Sequence, residues 1–332
     1  MKTTILFGGM SRERLVSVAS AKALAAALPD ADLWFWAPDD RVYVASDGVL
    51  QAHERPFEID LPTEGLAIGG IEAALDKAKA EDRVLVLGMH GGAAENGDLA
   101  ALCEARGVAF TGSDSPSSRL AFDKIATKAA VAKAGVVAPS TVEWVDAEAA
   151  LAKYGKLVAK PVADGSSYGL IFVNGPADLK RLADAARSGG YVIEPFVAGL
   201  EATCGVLEQA DGALIALPPV EIHPADGAFD YAAKYLAAGT REICPATFAP
   251  EITAAIQAGA LKAHKTVGAG GYSRSDFIVT PDGPIFLEIN TLPGMTAASL
   301  YPKSLKAQGI AFRDFLDGQI ALAVARAKEA VG

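Results

Sequence analysis

Apolar and polar positions along the chain alternate between the periods of strands and helices, which predicts an α/β protein. Residues 3–7 and 84–87 are short, largely apolar runs, and such runs indicate buried strands. Apolar residues at helical spacing predict helices over 71–80, 119–134, 250–267 and 310–327. The first strand leads through a glycine pair into a helical pattern, so the chain begins as an α/β domain does.

The segment 274–290 has the pattern of a β-hairpin. Two strand-like runs, 274–280 and 284–290, flank a Pro-Asp-Gly turn signal at 281–283. If the turn centres on Asp282, Asp276 pairs across the hairpin with Glu288. Because side chains alternate along a strand, Asn290 shares their face, and the opposite face is predicted to carry Phe277, Val279, Leu287 and Ile289.

The face with Asp276, Glu288 and Asn290 has two interpretations. Two carboxylates directly opposite each other repel unless a cation lies between them, and an all-oxygen trio suits Mg²⁺, which prefers carboxylate, phosphate and water oxygens. The alternative is a solvated polar face without special function. The turn that follows, with Pro293 and Gly294, favours a site, because glycine lets a ligand approach the backbone closely.

Composition and charge narrow the class of protein. The 332 residues are 51% hydrophobic and 21% charged, as in globular proteins of two or three domains. A net charge of −10 argues against a nucleic-acid or membrane partner, whereas a nucleotide needs only a local cluster of lysines. Cys103, Cys204 and Cys244 lack metal spacing and are predicted to be reduced core residues. The sequence shows no pattern of a signal peptide or membrane span, so a cytoplasmic location is expected.

Turns at the ends of predicted strands are candidate ligand sites. Gly8 and Gly9 precede a helix, where backbone N–H groups can bind a carboxylate or phosphate. His90 follows the strand at 84–87, and ligands of open α/β folds bind at the carboxyl ends of strands. The GxGxxG fingerprint is absent here, and the glycines at 268–271 follow a helix, which argues against an NAD-dependent dehydrogenase.

Two loops and one helix carry further candidate chemistry. Residues 161–169 form a Gly/Ser loop between two predicted strands, with Lys160 at its root, and such a loop can close over phosphates. It is not a Walker A loop, which leads into a helix. The irregular polar and aromatic segment 224–245 is predicted to be a lid. On the helix predicted at 119–134, Lys124 and Lys128 belong either to a site or to the solvated face.

Several motifs in a fixed order resemble one family of enzymes. They are FGGMSRERLVS (7–17), MHGGAAENG (89–97), TGSDSPSSRLAFDK (111–124), AKPVADGSSYG (159–169), IEPFVAGLE (193–201), FDYAAKYL (229–236), CPA (244–246) and SRSDF…FLEINTLPGMTAASL (273–300). Together they resemble the ATP-grasp ligases and, more closely, the D-alanine–D-alanine ligase family. The resemblance implies an α/β and α+β fold, in which a Rossmann-like (pre-ATP-grasp) N-terminal domain over 1–90 precedes a two-part ATP-grasp fold. The central ATP-grasp domain would cover 91–198, and the C-terminal one, with the metal and catalytic residues, 199–332.

Carried over position by position, the resemblance implies three sets of site residues. Two Mg²⁺ ions, or Mn²⁺, would be bound by Asp276, Glu288 and Asn290. ATP would be bound by Lys124, Lys160, Ser167, Glu194, Phe196, Val197, Glu201, Lys234 and Leu287. The amino-acid substrates would be bound by Glu13, Val16, His90, Arg274, Gly294, Ser299 and Leu300.

The resemblance also implies which of these residues take part in the reaction. Glu13 would bind the ammonium group of the first D-alanine, and Arg274 with the Gly294 N–H would stabilise an oxyanion. Ser166 and Tyr235 would join Glu201 in a hydrogen-bonded set that closes the loops. The implied activity is ATP-dependent ligation of two D-alanine molecules through an acyl phosphate, for peptidoglycan precursors, by a homodimer whose ligands are small molecules.

Four positions depart from the family's usual pattern and bear on substrate choice. They are Leu15, Ala100, Tyr168 and Ser273. A related ATP-grasp ligase that joins another amino or hydroxy acid, in antibiotic biosynthesis or resistance, is therefore an alternative. Tyr235 favours an amine as the second substrate, since phenylalanine there accompanies D-lactate use in the family. A catalytically silent nucleotide-binding protein is the other alternative, although it would be expected to lack a metal ligand or a phosphate-binding lysine.

Overall fold

Three β-sheets form the part of the chain that this computed structural model describes, namely residues 1–162, 169–187, 189–224 and 239–329. The predicted loop residues Ser166 and Ser167 and the predicted lid residues Lys234 and Tyr235 lie outside these ranges, as does Tyr168. Along the described chain, helices pack on each sheet. No helix within the described ranges is long and apolar enough to cross a membrane.

The first sheet lies at the N-terminus and has the strand order β4-β3-β2-β1-β5-β6. Its strands are β1 (Lys2–Gly8), β2 (Asp32–Trp36), β3 (Val42–Ala45), β4 (Ala67–Gly69), β5 (Arg83–Leu87) and β6 (Ala109–Phe110). The helices of this region are α1 (Arg14–Ala27), α2 (Asp47–Ala52), α3 (Ile71–Ala80) and α4 (Asp98–Arg106). Strands β2, β1, β5 and β6 run parallel, so their carboxyl ends share one edge, where the loops with Glu13 and His90 begin.

The second sheet is a small antiparallel one with the strand order β8-β7-β9. Its strands are β7 (Leu157–Pro161), β8 (Ile171–Val173) and β9 (Tyr191–Pro195), and its helices are α7 (Ala147–Tyr154) and α8 (Pro176–Ala186). One face is buried against the helices through residues such as Leu157, Leu182 and Ile193. The sheet therefore places Lys160 on β7 and Glu194 on β9, one strand apart.

The third sheet has the strand order β13-β12-β10-β14-β15, with β11 paired to β10. Its strands are β10 (Leu200–Glu208), β11 (Leu214–Ala216), β12 (Val220–His223), β13 (Arg241–Ile243), β14 (Tyr272–Thr280) and β15 (Gly283–Asn290). Helix α9 (Pro250–Val267) packs on β10, β14 and β15, and two further helices follow, α10 (Leu300–Ala307) and α11 (Phe312–Glu329). The predicted helices at 71–80 and 250–267 and the predicted hairpin are confirmed.

The first and third sheets share one hydrophobic core. Tyr272, Tyr301 and Phe315 form an aromatic cluster with ring centroids 5.4–5.9 Å apart. These rings belong to the same buried cluster as Phe7 and Trp34 of the N-terminal sheet. Because burying aromatic rings contributes strongly to stability, this contact fixes the loops of the first sheet against the C-terminal elements.

The prediction of one helix over 119–134 is wrong in one respect. The structure has two helices there, α5 (Ser115–Phe122) and α6 (Lys124–Lys133). Asp123 between them is extended, with φ −82° and ψ 103°, and its carboxylate accepts hydrogen bonds from the N–H groups of Ile125 and Ala126. An aspartate in this conformation is a preferred helix N-cap. Lys124 therefore begins a new helix, with Lys128 one turn later on the same face.

Two further expectations from the pattern also need correction. The segment 224–245 is not irregular throughout, and the run 213–220, whose pattern predicts one strand of a hairpin, is not one continuous strand. Strand β13 lies at 241–243 and pairs with β12. The predicted strand at 213–220 is interrupted by Pro218 and Pro219, which lack backbone N–H groups and cannot continue a ladder. Helices α8 and α10 were not predicted from the pattern.

Candidate active site

The β14–β15 hairpin pairs the two predicted carboxylates, although its turn lies elsewhere. Thr280 pairs with Gly283, so the two turn residues are Pro281 and Asp282 and the turn does not centre on Asp282. A β-bulge between Asp276 and Phe277 then shifts the register by one residue, and Asp276 faces Glu288. The bulge thus compensates for the misplaced turn, and the predicted pair is confirmed.

The same bulge makes the prediction for Leu287 wrong. Phe286, rather than Leu287, pairs with Phe277, and the two buried rings form an edge-to-face contact with centroids 5.8 Å apart. Ile289 is in the same core, as predicted, whereas Leu287 lines the cavity that Asp276 and Glu288 also line. One extra residue on β15 changes the face on which the side chain lies.

A cavity of about 190 Å³ lies between the second and third sheets and gathers most of the predicted nucleotide residues. Its walls combine apolar side chains, among them Val158, Phe172 and Ile222, with charged ones. The predicted site residues among its lining are Lys124, Lys160, Glu194, Phe196, Val197, Glu201, Asp276, Leu287, Glu288 and Leu300. Apolar walls beside lysines suit a flat base that carries an anionic tail.

Cations neutralise both opposed carboxylates. Arg274 donates two hydrogen bonds to Asp276, from Nε to Oδ1 and from Nη2 to Oδ2, both at 2.9 Å. The Thr203 hydroxyl also donates to Asp276, at 2.6 Å. Lys124 Nζ lies 3.5 Å from the carboxylate of Glu288. A two-pronged guanidinium contact holds Asp276 in one orientation, so this carboxylate is already positioned in the described structure.

The donor atoms around Asp276 and Glu288 fit a hard cation such as Mg²⁺. Among the described residues, no group of three or more His, Cys, Asp or Glu side chains is arranged to hold a metal ion. A site here would combine these two carboxylates with the Asn290 amide and with ligand oxygens. The Asn290 oxygen accepts the Leu292 N–H at 2.8 Å, which leaves its second lone pair for a metal.

A buried carboxylate between two lysines lies beside this cavity. Glu194 is fully buried and forms an ion pair with Lys128, while Lys160 Nζ lies 3.3 Å from its other oxygen. Burial lowers the pKa of Lys128, and the neighbouring ammonium of Lys160 lowers it further, whereas Glu288 opposes the shift. Sequence reasoning left Lys128 undecided between a site and the solvated face. Its spacing of one helical turn from Lys124 is the signal that could have indicated a site.

A second group of predicted residues lies at the edge of the first sheet. Glu13 and Glu95 are both buried, and burial together with the negative charge of Glu13 raises the pKa of Glu95 to about 8. Gly91, with φ +66°, lies so close to the Glu13 carboxylate that a Cβ there would collide with it. Val16 is buried on α1. Glu95 was not among the predicted site residues, although its ENG motif was noted.

His90 connects the first sheet to the turn that contains Gly294. Its Nδ1 lies 3.2 Å from the Leu292 carbonyl and its Nε2 lies 2.8 Å from Ser20 Oγ, which also accepts the Met295 N–H at 3.4 Å. These partners assign the Nδ1–H tautomer, because a carbonyl only accepts. Burial lowers the pKa of His90 to about 4. A neutral His90 therefore positions the turn around Gly294.

The remaining predicted residues follow that turn. Ser299 Oγ contacts Thr296, accepting its N–H at 3.1 Å, and a Cβ at Gly294 would lie only 2.8 Å from this Oγ. Ser299 is also the residue before α10, whose first N–H groups can bind an anion. Arg274 acts electrostatically on both His90 and Glu95, so it lies between this group and the cavity that Asp276 lines.

Two of the departures from the family pattern have an explanation in the packing. Ser273 is buried, and its hydroxyl lies 2.8 Å from Nδ1 of the buried His264 on α9. Adjacent residues of a strand point to opposite faces, so this contact is behind the strand from Arg274. Ala100 is buried on α4. Neither residue reaches the cavity lining.

The buried, neutral His90 should make stability depend on pH. Its pKa is about 4 in the folded chain against an ordinary 6.5, so its contribution is complete above pH 6.5 and is lost as the pH falls towards 4. The loss should reach about 3 kcal/mol of unfolding free energy, at 1.36 kcal/mol per pKa unit. Urea unfolding of wild type and His90→Leu from pH 7.5 to 4.5 measures it. The difference in unfolding free energy between wild type and His90→Leu should become smaller as the pH falls.

The matched control for this titration is Gln319→Leu. It removes a buried polar side chain that donates to the Glu208 carbonyl but carries no titrating group. Its effect on the unfolding free energy should be the same at every pH. An unchanging difference between wild type and His90→Leu would contradict the assigned neutral state.

Comparisons with known proteins agree on one family across both halves of the chain. Residues 2–113 match the family model described as D-ala D-ala ligase N-terminus, and residues 128–321 match the one described as D-ala D-ala ligase C-terminus. The D-alanine–D-alanine ligase of Oleidesulfovibrio alaskensis is 37% identical over 98% of this chain and 97% of its own length.

Solved structures give the same result. The VanG D-Ala:D-Ser ligase of Enterococcus faecalis superposes with a TM-score of 0.78 at 28% identity, covering 97% of this chain and 99% of that one. The D-alanine–D-alanine ligase of Bacillus anthracis, solved in complex with ATP, superposes with a TM-score of 0.72 at 26% identity, covering 99% and 98%.

Proposed function

The chain belongs to the D-alanine–D-alanine ligase family, and from that premise we propose that it joins two D-alanine molecules at the expense of ATP. The observation that carries the proposal is the cavity between the second and third sheets. Ten of the residues that the family resemblance assigns to the site line it together. They come from five strands and two helices of the described chain and from two loop positions, so chance proximity along the sequence does not explain the set.

ATP would occupy this cavity. Lys124 and Lys160 would hold its phosphates, and the apolar walls with Phe196 and Val197 would enclose the adenine. Glu201, on β10, would bind the ribose. The relative from Bacillus anthracis was solved with ATP, which supports a nucleotide here. Ser167 and Lys234, which lie outside the described residues, would complete the phosphate contacts.

Asp276, Glu288 and Asn290 would hold Mg²⁺ beside the phosphates. When bound, the metal supplies positive charge to the phosphate oxygens during transfer. The protein prepares the site by fixing Asp276 through Arg274 and Thr203. The binding of two metal ions and the use of Mn²⁺ remain predictions.

In the first step, a carboxylate oxygen of the first D-alanine attacks the γ-phosphorus. A new O–P bond forms, the bond to the β-phosphate oxygen breaks, and ADP leaves. Glu13 would orient the substrate by binding its ammonium group, and Glu95 would carry its proton at neutral pH and add no second charge. Lys124 and Lys160 would hold the transferring and leaving groups in line.

In the second step, the amine of the second D-alanine attacks the acyl phosphate carbon. The tetrahedral oxyanion would accept hydrogen bonds from Arg274 and the Gly294 N–H. Its collapse breaks the C–O bond to the phosphate, and the proton lost by the attacking amine leaves with the inorganic phosphate. Ser299 and the N–H of Leu300 at the start of α10 would hold the second carboxylate. Acyl phosphates hydrolyse in water, which is why Ser166 and Tyr235 are proposed to close loops over the site with Glu201.

A panel of amino acids tests this proposal directly. ADP release and dipeptide formation are measured with purified protein, ATP, Mg²⁺ and D-alanine, D-serine, D-lactate or L-alanine at millimolar concentration. D-alanine should be the best substrate in both positions. No D-alanine-dependent turnover would overturn the proposal, and preference for D-serine or D-lactate as acceptor would favour the related ligase instead.

Three further predictions concern the molecule rather than the chemistry. The division into domains at residues 90 and 198, the homodimer and the cytoplasmic location all stay predictions. Sedimentation velocity at micromolar protein distinguishes a dimer from a monomer.

A further inference from the structure

We propose that Lys128 makes the site selective for adenine nucleotides, by keeping the buried Glu194 ionised and in place while Lys160 binds phosphate. The inference rests on the proposed function, since it requires a nucleotide in the cavity beside Glu194. Lys128 is a positioning residue in this proposal, because it acts through Glu194.

The two lysines that contact Glu194 differ in whether they also reach the cavity. Lys160 lines the cavity, and 16% of its side chain is exposed. Lys128 lies behind Glu194 on α6, with only 5% of its side chain exposed. A triphosphate in the cavity attracts Lys160, because an anion with several charges outweighs one carboxylate. Lys128 then remains beside Glu194, and the departure of Lys160 removes one of the causes that lower the pKa of Lys128 to about 6, which favours its cationic form.

A fully buried carboxylate depends on such a partner. Moving an ionised carboxylate out of water is costly, and without a nearby cation the group takes up a proton instead. Glu194 has no exposed surface, so water does not replace a missing ammonium group. With Lys128 present, Glu194 stays an acceptor of hydrogen bonds; without it, Glu194 becomes a carboxylic acid that can also donate.

The protonation state of Glu194 decides which purine fits. Adenine carries an amino group that donates at the position where guanine carries a carbonyl that accepts. An ionised carboxylate binds the amino group of adenine and repels the carbonyl oxygen of guanine. A site whose hydrogen-bonding groups match adenine therefore discriminates strongly against guanine. Glu194 lines the cavity together with Phe196 and Val197, where the base is proposed to lie.

The test measures binding rather than turnover. Isothermal titration without D-alanine gives the Kd of non-hydrolysable ATP and GTP analogues for wild type and Lys128→Met. The substitution should weaken binding of the ATP analogue about 10- to 100-fold, which corresponds to the loss of a hydrogen bond to a charged group. Binding of the GTP analogue should be unchanged or tighter. In the variant, affinity for the ATP analogue should rise with pH as Glu194 ionises.

Lys133→Met is the matched control, since it removes an exposed lysine from the same helix. Its Kd values should equal those of wild type. Lys128→Arg keeps a cation behind Glu194 and should keep the preference for the ATP analogue. Urea unfolding of each variant shows whether the fold is intact.

Glu194→Gln tests whether Lys128 acts through the charge of Glu194. Gln cannot ionise, so this variant should lose selectivity by itself, and adding Lys128→Met should change it no further. Equal weakening of both analogues by Lys128→Met, additive effects in the double variant, or retained selectivity in Glu194→Gln would overturn the inference. If Lys128→Met does not fold, the Glu194→Gln result alone decides. Failure of wild type to bind the ATP analogue would instead count against the proposed function.

Discussion

Replacing Glu288 by Gln is expected to lower kcat by about 10²–10³-fold or more while leaving the fold intact. The change is isosteric but removes the negative charge that faces Asp276 across the hairpin and lies 3.5 Å from Lys124. A neutral amide binds a divalent cation far more weakly than a carboxylate. The Glu288 side chain is 30% exposed, so its amide keeps contact with water and strands no buried charge.

Steady-state rates over a range of Mg²⁺ concentration measure this effect. High Mg²⁺ should recover part of the rate, because the weakened metal site then fills by mass action. Urea unfolding should give a free energy close to that of wild type. Glu251→Gln, the same change in the first turn of α9, is the control and should keep wild-type activity. Activity like that of wild type in Glu288→Gln would show that the metal site is elsewhere.

Replacing Arg274 by Lys is expected to cost about 3 kcal/mol of transition-state stabilisation, or about 10²–10³ in rate. Lysine keeps the charge but loses the planar fork, so it cannot make the two parallel bonds to Asp276 and donate to an oxyanion as well. The rate of the second step, the attack of the amine on the acyl phosphate, should fall most. The acyl phosphate would then hydrolyse before the amine attacks, and ADP would be released without dipeptide.

The ratio of ADP to dipeptide separates this outcome from a general loss of activity. Wild type should release one ADP per dipeptide, and Arg274→Lys should release several. Arg187→Lys, at an exposed position after α8, controls for the substitution itself and should keep the ratio at one. A slow variant whose ratio stays at one would place Arg274 in the phosphoryl-transfer step instead.

The β14–β15 hairpin shows how far local pattern predicts structure and where it fails. Alternation and the Pro-Asp-Gly signal predicted the pairing of Asp276 with Glu288, but the prediction is correct only because two errors cancel. The turn position was wrong, and the bulge that compensates for it left no signal in the pattern, because a single extra residue preserves the composition of both strands. Leu287 therefore lies in the cavity rather than in the core.

The helices give a second example of the same limit. Helical spacing predicted 250–267 to the residue, yet merged α5 and α6 into one helix. The break at Asp123 is local, and an N-cap aspartate could have been recognised within the run. The short helix α10 was missed, because its eight residues cover too few turns for a clear period.

The sequence by itself determined most of the elements, the presence of the hairpin and the chemical types of the site, because propensity, alternation and helical spacing depend on neighbours along the chain. Only the tertiary structure decided which charges are buried and with what partner. The ion pair of Lys128 on α6 with Glu194 on β9, the raised pKa of Glu95 beside Glu13, and the contact of His90 with Leu292 all join segments far apart in the chain. Burial and pairing arise when separate elements exclude water from each other, and no local pattern records that event.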